Sequence, residues 1–218
     1  MPNREKWERH WGEGYDYNFK RRTFSALFNQ LESEEKIGPV VVDAGSGAFP
    51  ASDWLSRPHL IITIDLAKDD FRFGRRHHLG LDIETICKDS GGILKESLSK
   101  VAVEHGVIAE EENSFEVIDA AIFSELLNYV DFKQTLSVFG QYLKPNGRMV
   151  IVNKPGRGFS HSNLFSPGGI KNNSDLFDFL TSKCFAIEQK RFPWKIESED
   201  GINQEMVILV ARKILSGE

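Results

Sequence analysis

Pro39, Val40, Val41 and Val42 run straight into Asp43-Ala44-Gly45-Ser46-Gly47, and this junction restricts the fold more than any other stretch. A short, β-branched run without polar alternation reads as a strand buried on both faces. Its abrupt end in two glycines reads as a tight turn at the strand's carboxyl end. A strand covered on both sides needs helical layers above and below it, so the rest of the chain should alternate strand and helix.

The alternation is present. Residues 60–65 repeat the pattern (Leu60, Ile61, Ile62, Thr63, Ile64, Asp65), and residues 77–81 give a weaker third run that leads to Asp82. Residues 116–123 and 148–153 supply a fourth and a fifth. Between them Leu94, Leu98, Val101, Ala102 and His105 share one helical face, and Phe132, Leu136, Phe139 and Leu143 share another. Lys144-Pro145-Asn146-Gly147 closes the second of these helices, with a proline that cannot continue it and a glycine free to take positive φ. Phe24, Leu27, Phe28 and Leu31 mark a helix ahead of the first strand, and Pro50 is placed to open one after the glycine turn. Towards the C-terminus Ser174 is placed to cap a short helix carrying Leu176, Phe177 and Leu180. Residues 184–191 and 204–212 then read as a closing antiparallel pair joined by a polar loop with Gly201. The expected class is α/β: a mainly parallel sheet with helices on both faces, and ligands beyond the carboxyl ends of its strands.

Length and charge narrow the function. The 218 residues show no break in composition, so one domain is expected. A net charge of −5 without a long Lys/Arg block argues against a nucleic-acid partner. The first residues are charged rather than apolar, and no run approaches the roughly 20 apolar residues that span a bilayer. A cytoplasmic protein without membrane contact is expected. Cys87 and Cys184 are far apart, with no companion at ligand spacing, which argues against a disulfide framework or a zinc site.

The glycine turn carries the chemistry. A dinucleotide site wants a third glycine, in the pattern G-x-G-x-x-G, but Pro50 stands in that place. Asp43 would also oppose the two charges of a pyrophosphate, whereas it would attract a ligand with an ammonium and a sulfonium. S-adenosylmethionine is such a ligand. Asp65 follows the last loop glycine by eighteen residues, about where Rossmann-like folds set an acid on the ribose hydroxyls. Asp82, at the end of the third run, is placed to accept from an adenine amino group. A single Asp after a strand reads equally as a turn or helix cap; three at successive strand ends point to one ligand.

On these residues the chain resembles the class I S-adenosylmethionine-dependent methyltransferases. VVVDAGSG matches their first motif, IITIDLA the second and GLDI the adenine-side acid. FEVIDAAIFSELLNYV resembles the fourth-strand segment, and LKPNGRMVIVN the helix, turn and strand that follow. The resemblance implies strand order 3-2-1-4-5-7-6 with the seventh strand antiparallel. It implies Asp43, Ala44, Gly45, Ser46 and Gly47 at the methionine end, with Ser124 nearby, Asp65 and Leu66 at the ribose, and Asp82 with Ile83 around the adenine. The Asn/Asp-Pro-Pro-aromatic signature of DNA and protein-glutamine N-methyltransferases is missing after the fourth strand, so a small-molecule acceptor is expected.

Residues 1–35 read as an N-terminal helical lid segment and residues 36–218 as the methyltransferase domain. Trp7, Trp11, Tyr15, Tyr17 and Phe19 crowd the first of these, either as a lid over the sulfonium or as a segment docked on the sheet. Trp7, Trp11 and Gly14 also look like the W-x3-W-x2-G opening of thiopurine and tellurite methyltransferases. Arg21 and Arg22 either hold a cofactor carboxylate or start a solvated helix. Residues 154–172, glycine-rich and long for a connection, are the place to look for acceptor contacts. Methyl transfer is an in-line displacement, so the protein mainly positions groups and excludes water. Where the acceptor must lose a proton, His161, Glu125, Tyr129 and His10 are the candidate bases. No metal site is expected. A small-molecule acceptor and a monomer or homodimer complete the reading. The alternatives are a non-catalytic S-adenosylmethionine-binding subunit that works through a protein partner, and a nicotinamide-dependent reductase.

Overall fold

The described residues of the computed structural model are 17–46, 50–57, 59–66, 76–108, 116–153, 166–191, 195–197, 203–205 and 207–214. In chain order they form α1 (Tyr17–Ser33), β1 (Val40–Ala44), a 3-10 turn (Ala51–Trp54), β2 (Leu60–Ile64), β3 (Arg76–Leu79), α2 (Ile83–Lys88), α3 (Gly92–Glu104) and β4 (Ile118–Ser124). There follow α4 (Phe132–Tyr142), β5 (Leu143–Asn153), α5 (Asn173–Ser182), β6 (Phe185–Arg191), β7 (Lys195–Glu197), β8 (Asn203–Glu205) and β9 (Val207–Lys213).

Seven strands make one sheet in the order β3-β2-β1-β4-β5-β9-β6. All neighbours run parallel except β9, which is antiparallel to both β5 and β6. This is the expected order with its one reversed strand. β7 and β8 form a separate hairpin inside the polar loop read ahead of β9.

Strand alternation sorts the core into two layers. Val40, Val42, Ala44, Ile62, Ile64, Ala121, Phe123 and Ile151 pack with Ile83, Ile86, Leu94, Leu98, Leu136, Phe139, Leu176 and Leu180, which come from α2 to α5. Val41, Ala120, Ile122, Val150, Val152, Ile208 and Val210 face the other way, onto Phe24, Leu27, Phe28 and Leu31 of α1 and Ala51 of the 3-10 turn. The helix ahead of the first strand is therefore part of the core. The lid reading then concerns residues 1–16, which lie outside the described residues.

Several local expectations need correction. The helix expected after Pro50 is a single 3-10 turn that ends at Leu55 with ψ 132°. Pro58 disfavours helical geometry just before it, and the amides of Ser56 and Arg57 donate to Glu32 instead of to a preceding turn. The pairing of β5 starts at Leu143, so Lys144-Pro145-Asn146-Gly147 lies inside an irregular strand. There Asn146, not Gly147, takes the positive φ of 63°, a conformation its short polar side chain tolerates. Gly147 answers to space, because a Cβ on it would lie 2.8 Å from the Lys144 carbonyl oxygen. Asn172, not Ser174, caps α5, its Oδ1 accepting from the Asp175 amide at 2.9 Å. His105 caps the C-terminal end of α3 and is exposed, outside the buried face assigned to it.

Glu32 fastens α1 to the approach to β2. Its carboxylate accepts from the amides of Ser56 and Arg57, from the Ser56 hydroxyl and from His59 Nε2 at 2.8 Å. The other ring nitrogen of His59 meets the Gly38 carbonyl at 2.9 Å, so one buried pair ties together α1, the entry to β1 and the entry to β2. Burial alone would push the Glu32 carboxyl up, but the hydrogen bonds from Ser56, Arg57 and His59 outweigh it and hold the group below its ordinary 4.5.

Glu32→Ala should therefore lower the unfolding free energy by about 3 kcal/mol at pH 7, since it strands a buried His and two amides. A carboxyl with a depressed folded pKa contributes stability above its unfolded value and loses it as the pH falls through the folded one. The gap between wild type and variant should accordingly close below pH 4.5. Urea titrations at several pH values measure it, and equal midpoints at pH 7 would show that the clamp contributes nothing.

Candidate functional site

The carboxyl ends of β1, β2, β4 and β5 meet at one rim, and the turn after β1 is its tightest point. The Gly45 amide donates to the Ile64 carbonyl at 2.7 Å, and Gly45 adopts φ +66°. A Cβ there would lie 2.7 Å from Leu126 Cδ1. Conformation and space each require glycine. Ala44 is fully buried and Ser46 nearly so; Gly47 lies outside the described residues.

Asp43 does different work from that expected of it. Its side chain lies on the α1 side of the sheet, fully buried, and Oδ2 accepts from the Ser52 amide at 2.8 Å. The carboxylate thus pins the 3-10 turn beneath the glycine turn. Its charge is not alone there, because Arg76 of β3 is buried close by in an ion pair with Asp53. Burial lowers the Arg76 guanidinium pKa, and the charge of Asp43 opposes that drop. Sequence reading missed Arg76; a cation directly before the weaker third run at 77–81 was the available signal.

The other two acids also stand at strand ends. Asp65 follows β2, half-buried, its amide donating to the Leu79 carbonyl at 3.3 Å, with Leu66 half-buried after it. Asp82 comes three residues after β3 and caps α2: Oδ1 accepts from the Glu84 amide at 3.2 Å and Oδ2 from the Thr85 hydroxyl at 2.9 Å. Ile83, first in that helix, is buried against the sheet. A carboxylate has about four lone-pair sites, so two caps leave Asp82 with capacity for a ligand donor.

Past β4 the chain folds into a compact turn. Glu125 takes φ +58° and donates its amide to the Val152 carbonyl at 2.7 Å, while the Tyr129 amide donates to Leu126. A long side chain in that backbone region is strained, and such strain gathers at functional sites. The residues just before α5 return to brace the turn: the Ser166 amide donates to the Asn128 carbonyl at 3.1 Å and the Ile170 amide to Leu127 at 3.0 Å. A Cβ on Gly169 would come within 2.2 Å of the Asn128 carbonyl oxygen. The end of the long connection after β5 therefore reaches this rim, while residues 154–165, His161 among them, lie outside the described residues. So do His10 and residues 7–15. The side chains of Tyr17, Phe19, Arg21 and Arg22 are likewise outside the described part.

Burial first, and then the neighbouring Glu125 charge, push the Tyr129 phenol up to about 12. That shift favours the protonated phenol near neutral pH, which suits it to donate a hydrogen bond and counts against it as a base. Asn128 and Asn153 are buried and joined, Asn153 Nδ2 donating to Asn128 Oδ1 at 3.3 Å. Asn153 is a second residue that sequence reading left unassigned, although a polar residue closing Met149-Val150-Ile151-Val152 marks it.

Among the described residues, Ser46 Oγ, Ser124 Oγ and Asn153 Oδ1 are buried at this rim without a hydrogen-bond partner. Each such atom costs about 1–3 kcal/mol, which makes a cluster of them at one rim the mark of a ligand site. Among the described residues no group of three His, Cys, Asp or Glu is placed to hold a metal, and no helix is long and apolar enough to cross a membrane.

No protein-family model and no curated protein matches the chain. Solved structures do. A Burkholderia thailandensis 1,6-didemethyltoxoflavin-N1-methyltransferase, crystallised with 1,6-didemethyltoxoflavin and S-adenosylhomocysteine, superposes with a TM-score of 0.64 at 15% identity over 97% of this chain and 87% of its own. The N-methyltransferase NodS of Bradyrhizobium japonicum, with S-adenosylhomocysteine, gives 0.62 at 13% identity over 96% and 97%. The [4+2]-cyclase SpnF gives 0.55 at 13% identity over 88% and 81%. The fold is that of the S-adenosylmethionine-dependent methyltransferases.

Gly45→Ala should destabilise the protein by about 1–3 kcal/mol, from its positive φ and from the contact with Leu126. Leu126→Ala opens that space, so in a double-mutant cycle the cost of Gly45→Ala should shrink in its presence. Strictly additive costs would show that the two residues do not press on each other.

Proposed function

We propose that this rim binds S-adenosylmethionine and that the protein transfers its methyl group to an N, O or S atom of a small-molecule acceptor. The observation that carries the reading is the pair of buried hydroxyls without a partner among the described residues, Ser46 in the glycine turn and Ser124 at the end of the neighbouring β4, beside Gly45, which admits no side chain. A ligand with several hydrogen-bonding groups would satisfy them. Ala44, Gly45, Ser46, Gly47 and Ser124 would then line its methionine end, with Asp43 holding the turn from below. Asp65 would take the ribose diol beside Leu66, and Asp82 and Ile83 the adenine. When bound, the sulfonium supplies a methyl group activated for displacement. The protein's own part is to fix the acceptor in line, to exclude water, and to offer the Tyr129 hydroxyl as a donor.

Dinucleotide binding fits less well. A pyrophosphate needs the N-terminus of a real helix, and only a four-residue 3-10 turn follows the glycines. The small-molecule acceptor is supported by the neighbour crystallised with 1,6-didemethyltoxoflavin. The shared fold does not decide the reaction, since one neighbour with it is a [4+2]-cyclase. Turnover therefore has to be measured apart from binding, and binding without turnover would favour the non-catalytic subunit.

S-adenosylhomocysteine should bind in isothermal titration, and S-adenosylmethionine, but not NAD or NADP, should raise the thermal midpoint. Asp65→Ala should weaken binding by about 10- to 100-fold through loss of the charged diol acceptor. A midpoint raised by NAD alone, or no binding of either sulfur nucleoside, would sink the reading.

A further inference from the structure

One atom at the rim goes further than the cofactor, and the step rests on the function proposed above. Asn153 is the last residue of β5, paired to Val207 of β9, and fully buried. Its Nδ2 is taken by Asn128 Oδ1, which fixes the orientation of the amide. Asn128 is itself held by the Ser166 amide on its carbonyl and by the close approach of Gly169. Leu127 and Val152, both buried, stand next to the pair in sequence. The Asn153 amide oxygen is left buried and, among the described residues, without a donor.

A leucine of nearly the same shape would leave no bare oxygen at this point, though it would take the donor from Asn128 Oδ1, and the strand into which Asn153 is built is apolar from Met149 to Val152. Ser46 and Ser124 lie on the glycine-turn side of the rim. Asn153 lies a strand further out, beside the Glu125–Val130 turn and the return of residues 166–170.

We propose that the Asn153 amide oxygen anchors a polar N–H or O–H group of the methyl acceptor. The acceptor is then an amine, amide, ring N–H or hydroxyl compound, not one that presents only carbon, ether or thioether atoms at this point. A site with a fixed, buried acceptor discriminates strongly, because an analogue without the donor leaves the oxygen unpaired and the penalty in place. Where the anchored atom carries a single hydrogen and is itself methylated, the methyl leaves the sulfonium for that atom and the hydrogen departs to solvent as a proton, so product is held less well than substrate.

The test uses the full-length protein saturated with S-adenosylhomocysteine and matched probes: secondary lactams, N–H azoles and phenols, each with its N- or O-methylated twin. Competition titration should show the protonated member binding at least tenfold tighter than its twin. Asn153→Leu should erase the difference, and Asn153→Thr, which restores a hydroxyl, should recover part of it. Equal binding of the twins, or no binding of any probe to the loaded protein, would overturn the assignment. Failure to load S-adenosylhomocysteine at all would instead count against the function proposed above.

Discussion

The bond from the Gly45 amide to the Ile64 carbonyl turns the chain out of the sheet at the end of β1, and the rim is built around that departure. β1 is central and buried at every position, so its exit sets where a ligand can approach. Because Gly45 has no side chain, Leu126 can close against it, and the turn that follows β4 is thereby seated beside the turn that follows β1. Glu125 then hands its amide to Val152, and the end of β5 is drawn in. Three strand ends are coupled through one missing Cβ.

The sheet's two faces carry this rim in different ways. α2 to α5 supply a thick apolar layer on one face. On the other, the described cover is α1 and one 3-10 turn, and polar fastenings do more of the holding: Glu32 with His59, Asp43 with the Ser52 amide, Arg76 with Asp53. Such pairs are costly to break and sensitive to geometry, which suits them to fixing the glycine turn from below rather than to adding bulk stability.

The parallel order of the sheet was legible because doubly buried strands are written as unbroken apolar runs, as in Val40 to Val42 and Leu60 to Ile64. The reversed β9 was legible as one of two strand-like runs joined by a polar loop, and its place between β5 and β6 followed from the resemblance. Asp65 and Asp82 were found as acids at strand ends, but sequence alone could not separate a cap from a ligand contact, and Asp82 visibly makes the cap. Asn146 and Gly147 were misassigned because neighbouring residues compete for one positive φ, and the loser, Gly147, is fixed by a carbonyl from the turn just before it and by the β4 backbone. Arg76 and Asn153 escaped, and the buried contact of Asp43 with the Ser52 amide went unseen, for a common reason. Which face of a strand a polar residue takes, and what waits there, depends on the register between strands distant in sequence.

A fold that serves both N-methyltransferases and a [4+2]-cyclase leaves function to the rim. The rim here departs from what stability alone would select: a glutamate in left-handed backbone, a tyrosine held protonated in a buried place, and three polar atoms with no partner. Elsewhere Glu32 and Tyr142, both buried, are satisfied by hydrogen bonds of 2.6–3.2 Å, while among the described residues Ser52 Oγ and Gln189 Oε1 are bare as well. Unpartnered atoms are therefore not confined to the rim, and what sets Ser46, Ser124 and Asn153 apart is their position, within the glycine turn and at the carboxyl ends of β4 and β5, where a ligand of this fold would approach.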